Sequence, residues 1–439
     1  MANAGAGRWA SLGRALRHKN YRLFLFGQGI SLIGTWVTRI AMSWLVYRLT
    51  NSALLLGVVG FAGQIPTFLL GPFAGVIVDR SDRYRLLLVT QVLSMLQSGL
   101  LAYFSLRGTV TVWHVLFLAI GQGLINGFDT PARQAFLVDM LESRDDLPNA
   151  IALNSSLVNL ARLVGPSVAG ILIGLFGEGI CFAIDAGSYI AVIGALLAMS
   201  IVARERPLRS TRFFSEMRDG FAYVAAFTPI RDLLLLLACV SLSGMSYAVL
   251  MPVFATQVLQ GGPHTLGILM GSTGTGALVS ALWLATRTSV LGLGRVVSAA
   301  GATFGLALIA FSYSRSLWLS IPLLVLVGSG MMMQMAATNT LIQTLVDERM
   351  RGRVMSFYTM AFFGMTPFGS LLAGVVASHF SAPIAVRSGG LITVCAVLLF
   401  MRRLPKLREQ IRPVYERLGI LEPPPSSRPT SPPLEEAGE

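Results

Sequence analysis

Gly71-Pro72-Phe73-Ala74-Gly75-Val76-Ile77-Val78-Asp79-Arg80-Ser81-Asp82-Arg83-Tyr84-Arg85 is a short charged run caught between two long apolar stretches. Residues 54–78 lead into it and residues 86–106 follow it. Each stretch has roughly the 20 apolar residues that a helix needs to cross a bilayer. Charge is expensive in hydrocarbon, so the run must sit in water, in a tight connection between two spans.

Composition extends this reading to the whole chain. Its 439 residues are 54% hydrophobic and 13% charged, with mean hydropathy +0.67. A soluble domain carries about 25% charged residues, so this chain has too few to face water on all sides. The net charge of +13 is scattered in short groups between apolar runs. That pattern orients spans in a membrane and does not form a nucleic-acid face. Cys181, Cys239 and Cys395 stand singly in apolar runs and the four histidines lack ligand spacing. No metal site, cofactor or disulfide framework is therefore expected.

Apolar runs predict twelve spans, at 22–48, 54–78, 86–106, 111–130, 151–176, 180–202, 232–258, 265–286, 294–313, 317–340, 354–379 and 383–401. With the N-terminus in the cytoplasm, the inner connections carry nearly all the arginines, Arg80, Arg83, Arg85, Arg133, Arg144, Arg349, Arg351 and Arg353 among them. The outer connections carry only Arg107 and Arg315. The asymmetry places both termini inside a bacterial cell membrane. The first span has no cleavage site after it and is expected to be retained.

The two halves resemble each other. Gly121-Gln122-Gly123 precedes a span containing Gly165-Pro166, and Gly328-Ser329-Gly330 precedes one containing Thr366-Pro367. The fold class is then an all-α membrane protein of two pseudo-symmetric six-helix bundles, 22–202 and 232–403, around a central cavity. Residues 1–21 form a cytoplasmic segment. Residues 203–231, with Phe213, Phe214, Phe221, Tyr223 and Phe227 among charges, read as an amphipathic linker helix on the inner surface. From 404 the Pro-rich tail reads as disordered.

The pattern Gly-x-x-x-Asp-Arg-x-x-Arg at Gly75, Asp79, Arg80 and Arg83 resembles the signature loop of the major facilitator superfamily of transporters. The block Asp129-Thr130-Pro131-Ala132-Arg133, with Gly165-Pro166-x-x-x-Gly170 further on, is similar to the branch of siderophore exporters and drug:proton antiporters. The resemblance implies a secondary transporter, with a monomeric chain moving small molecules in exchange for protons. It also implies that Gly75, Asp79, Arg80 and Arg83 latch the two halves in one access state. Asp82 replaces a glycine of the usual pattern.

Candidate residues follow from cost. Intramembrane charges default to function. Arg39, Arg162 and Asp185 are the candidates for cargo or proton coupling, and Asp129 for the inner latch with Arg83. At about 1.5 Å per residue, Arg162 and Asp185 have similar depths, so an ion pair between them is expected, either structural or coupling. Arg83 is expected to meet Asp129 first and Asp139 second. Gln28, Gln122, Asn126, Tyr247, Gln334 and Asn339 are polar positions that either line a cavity or bridge helices. Pro166 should kink its helix, with Gly165 and Gly170 allowing close packing. No nucleophile, base and orienting group occur together, so an enzyme is not expected. An importer, a lysophospholipid flippase or a non-transporting sensor on the same fold remain alternatives.

Overall fold

Ser52, Asp82, Thr111 and Ser381 each cap a helix by accepting a backbone N–H, and these caps punctuate the apolar runs. The computed structural model describes residues 14–200, 213–287 and 289–421. Its first half comprises α1 (Lys19–Thr50), α2 (Ala53–Arg80), α3 (Arg83–Leu106), α4 (Val112–Asp139), α5 (Leu147–Phe176) and α6 (Glu178–Leu197). A short α7 (Phe213–Ala226) leads to the second half. That half comprises α8 (Thr228–Val258), α9 (Pro263–Ala285), α10 (Leu293–Tyr313), α11 (Leu317–Leu345), α12 (Arg351–His379) and α13 (Ala382–Arg417).

Eleven of these helices are long and apolar enough to cross a membrane, among the described residues. The expected twelfth, α4, is 28 residues long but falls outside that set. Gln122, Asn126 and Asp129 lower its hydropathy, and it packs between α2 and α3 with those groups turned to protein.

The halves repeat one plan. In the first, α1 packs on α5 and α6, α3 on α4 and α6, and α2 on α4. In the second, α8 packs on α12 and α13, α10 on α11 and α13, and α9 on α11. Two seams join the halves, α5 against α9 and α2 against α12. Both seams are built from small residues. A Cβ added to Gly170 would lie 2.8 Å from the Cα of Gly267, and one added to Gly57 would lie 2.9 Å from the Cα of Gly374. Only glycine lets these backbones approach so closely.

These contacts lie toward the end of the molecule opposite the Asp79–Arg85 loop. At the loop end, a Cβ on Gly71 or Gly75 would meet nothing within 4 Å. The glycine contacts between the halves stop at Phe68 on α2 and at Arg162 on α5, so the halves join at one end and stand apart at the other.

Three further expectations are adjusted. Asp82, which departs from the signature pattern, caps α3 by accepting from the N–H groups of Tyr84 (3.0 Å) and Arg85 (3.2 Å). The helix of the last span does not stop near 403. It continues to Arg417 because Leu407 and Tyr415 are buried, with Ile411 and Val414 packed beside them, so the stretch has an apolar face that its prolines hide in the sequence. The Pro-rich stretch beyond lies outside the described residues, as do 1–13 and 201–212. The linker helix α7 rests on the start of α12, through Arg353 to Asp219 (3.2 Å) and through Tyr223 to Asp347 of the preceding loop (3.3 Å). Pro367 in α12 cannot donate, and a wider π turn at Met360–Gly364 precedes it.

Candidate functional site

The interior of the first half is organised by a polar stripe on α3. Thr90, Gln91, Ser94, Gln97 and Ser98 recur at helical spacing and are all buried. Buried polar groups need partners, and each of these finds one on a neighbouring helix or on its own. Thr90 (2.9 Å) and Gln91 (2.7 Å) donate to Asp129 of α4, which also pairs with Arg133 one turn further on. Gln122 donates to Ser94 (3.2 Å) and to Asn126 (3.1 Å). Ser98 donates to Asp185 of α6 at 2.7 Å.

Asp129 is thus occupied, and it is Asp139 that takes Arg83, at 3.5 Å, with Ala135 O at 3.1 Å. The first-choice partner loses because Asp129 lies more than two helical turns further up α4, within reach of α3 and not of its N-terminus. The pair closes α3 against α4 inside one half and does not span the halves. Arg80 is exposed, and the side chain of Asp79 lies outside the described residues.

Asp185 is almost fully buried. The hydroxyl of Thr38 lies beside this carboxylate, without the geometry of a full hydrogen bond to Oδ1. Gly34 of α1 passes directly over it, where a Cβ would lie 2.8 Å from Oδ1. The expected Arg162–Asp185 pair does not form. Depth along a helix carries no direction. Asp185 faces α1 and α3, whereas Arg162 sits on the face of α5 near Gly165, which packs on Trp36. The Arg162 guanidinium lies over the Trp36 ring, 5.7 Å from its centroid, and Arg39 lies over the same ring at 4.7 Å. Tyr247 of α8 is within electrostatic range of Arg162 and packs edge-on against Phe304.

Of the other polar positions, Gln28 and Gln334 are buried with one amide atom each unpartnered, and Asn339 accepts from Gln343 at 3.0 Å. Pro166 lies inside α5 beside the seam, with Gly165 against α1 and Gly170 against α9. Sequence reasoning missed the α3 stripe and Trp36. The stripe was visible as polar residues at helical spacing within an apolar span, but a single tryptophan gave no such signal.

Residues 9–418 match the family described as transmembrane secretion effector. The chain belongs to this family of major facilitator transporters. It is 25% identical over 382 residues to the staphyloferrin A transporter of Staphylococcus aureus, covering 86% of this chain and 95% of that one. It is 26% identical over 397 residues to the multidrug efflux pump Tap of Mycolicibacterium fortuitum, covering 88% and 96%. It is 26% identical over 280 residues to macrolide efflux protein A of Streptococcus pyogenes, covering 61% and 67%. Among solved structures, a bacterial homologue of the lysosomal transporter Spinster in an inward-facing conformation has a TM-score of 0.65 at 14% identity, covering 90% of this chain and 97% of that one. A POT peptide transporter has a TM-score of 0.70 at 12% identity, covering 89% and 95%. These likenesses establish the fold alone. This secretion-effector family member is a multi-pass membrane transporter and not an enzyme.

Proposed function

We propose that this transporter exports small molecules from the bacterial cytoplasm, with Asp185 exchanging the protons that drive it. The export direction is supported by the relatives, whose names describe a siderophore transporter and two kinds of efflux pump. The arginine asymmetry supports a cytoplasmic Asp79–Arg85 loop and cytoplasmic termini. The end at which the halves stand apart is then the cytoplasmic one, where an exporter loads.

The observation that carries the coupling is the contrast among buried carboxylates. Asp129 is paired with Arg133, Glu178 with Arg48 at 2.7 Å, and Asp232 with Arg403 at 3.3 Å. Among the described residues, Asp185 is buried with a hydroxyl donor and no cation. A carboxylate so placed can hold or lose a proton without breaking an ion pair. In this reading Arg83, Asp139 and Asp129 brace the loop end of the first half, with Gly75 and Arg80 placed to meet the second half when that end closes.

Everted membrane vesicles test the proposal. Vesicles containing the protein should accumulate siderophore or drug probes when acidified inside, and an uncoupler should collapse the uptake. Accumulation that survives the uncoupler overturns proton exchange. Accumulation only in right-side-out vesicles overturns export.

A further inference from the structure

The two arginines that converge on Trp36 have no acidic partner among the described residues. Neither Arg39 nor Arg162 makes an ion pair or donates a hydrogen bond among the described residues, and Nε of Arg162 is buried without a partner. They are also close enough to repel each other. Two guanidinium groups held together inside a membrane protein cost free energy unless something neutralises them. Stacking on one indole contributes part of the compensation but no negative charge.

Both arginines point away from lipid. At about 100° per residue, Ile30 lies half a turn round α1 from Arg39, and Ile171 lies half a turn round α5 from Arg162. Ile30 and Ile171 are exposed on the outer surface. Arg39 is exposed too, although it shares Trp36 with Arg162 and faces the other way, so its surface opens into the space between the halves. Tyr247 of the second half lies within electrostatic range of Arg162.

We infer that Arg39 and Arg162 form a carboxylate-binding site, and that the cargo is an organic anion whose apolar body lies against Trp36. Each guanidinium offers a planar fork of donors that matches a carboxylate. The site does not use Asp185, which faces the other side of α1 at Gly34. Binding an anion between α1, α5 and α8 would draw both halves toward one charge. The role as a cargo site rests on the export proposal, whereas the anion site itself does not.

The test is equilibrium binding of radiolabelled naphthoate to the purified full chain in nanodiscs, with naphthyl phosphate and naphthalenemethanol as competitors. Naphthoate should bind, the alcohol should fail to displace it, and Arg39→Gln or Arg162→Gln should each weaken it by about tenfold. Should either glutamine variant fail to fold, Arg39→Lys and Arg162→Lys serve instead. Lysine keeps the charge but loses the fork, so naphthoate should weaken only severalfold. Naphthoate binding that is absent up to about 10 mM, unchanged in the variants, or matched by the alcohol overturns the site. Stronger binding of naphthyl phosphate than of naphthoate overturns the carboxylate assignment. Loss of naphthoate binding when phosphatidylglycerol replaces zwitterionic lipid, with no cargo able to restore it, makes the site a lipid site and overturns the cargo. Arginine-dependent binding without export in vesicles leaves the anion site standing and removes the export reading.

Discussion

Helices α3 and α10 occupy equivalent places in the two halves and bury the same positions. Counted from Arg83 and Leu293, the buried pairs are Leu87 and Val297, Thr90 and Ala300, Gln91 and Gly301, Ser94 and Phe304, Gln97 and Ala307, Ser98 and Leu308, and Leu101 and Phe311. The register repeats, but the chemistry does not. The same holds for α6 and α13, where Asp185 answers to Gly389, and for α4 and α11, where Asp129 answers to Gln334. Helix packing fixes which positions are buried. It leaves open what fills them. Polar groups gathered in one half can satisfy one another, as Thr90, Gln91 and Asp129 do, while the other half can remain an apolar wall.

The largest effect should come from removing the charge that has no counterpart. Asp185→Asn keeps an acceptor for Ser98 and nearly the same volume, so the protein should accumulate in the membrane. Uphill export should fall by about a hundredfold or more, while passive exchange of cargo persists. Vesicle flux with and without a pH gradient measures both. Uphill export at the normal rate would show that the asymmetry between Asp185 and Gly389 is structural only.

Next is the exchange of a first-half residue for its second-half equivalent. Asp129→Gln strands Arg133 and at least one of the Thr90 and Gln91 donors, and should cost about 3 kcal/mol. The counterpart, Gln334→Leu, removes an amide whose nitrogen is buried without a partner, and should change stability by less than about 1 kcal/mol in either direction. Thermal unfolding in detergent compares the two. Equal losses would mean that the second half has its own hidden polar demand.

The seams sharpen the comparison in another way, because they belong to both halves. Gly170→Ala places a methyl about 2.8 Å from the Gly267 backbone. The clash should shift the population away from the present conformation by about tenfold. Ser155 is exposed on the same face of α5 as Arg162, at the open end. Labelling of Ser155→Cys, with Cys181, Cys239 and Cys395 replaced, should slow when Gly170→Ala is added. Unchanged labelling would mean that the seam does not control the opening.

Most of the fold was legible because it follows from one-dimensional cues. Apolar length marked the spans, and the recurrence of Gly121-Gln122-Gly123 as Gly328-Ser329-Gly330 marked the two halves. The end of α13 was not, since Pro405 and Pro413 argued for a tail while Leu407 and Tyr415 packed only in three dimensions. The site was legible in its residues and not in its pairings. Arg39, Arg162, Asp185 and Asp129 stood out by their cost in a membrane. Which of them meet depends on helix phase, and an estimate of depth contains no phase. Arg83 was misassigned for the opposite reason, since its partner was decided by where along α4 each carboxylate falls.

That misassignment yields the smallest and most discriminating prediction. Arg83 and Asp139 have largely buried side chains 3.5 Å apart, and Arg83 keeps the Ala135 carbonyl as a second acceptor. A pair of this kind has a net worth of roughly 1 kcal/mol, because the desolvation of both charges offsets most of their attraction and other contacts share the arginine. Arg83→Asp and Asp139→Arg should each lower transport severalfold by loosening the loop end of the first half. Combining them should restore part of the loss, since the opposite charges again face each other across α3 and α4. Arg83→Asp with Asp129→Arg should restore nothing, because it also breaks the Thr90, Gln91 and Arg133 cluster around Asp129. Rescue by the Asp129 exchange and not by the Asp139 exchange would mean that the working pair forms in another conformation, with α3 moved along α4.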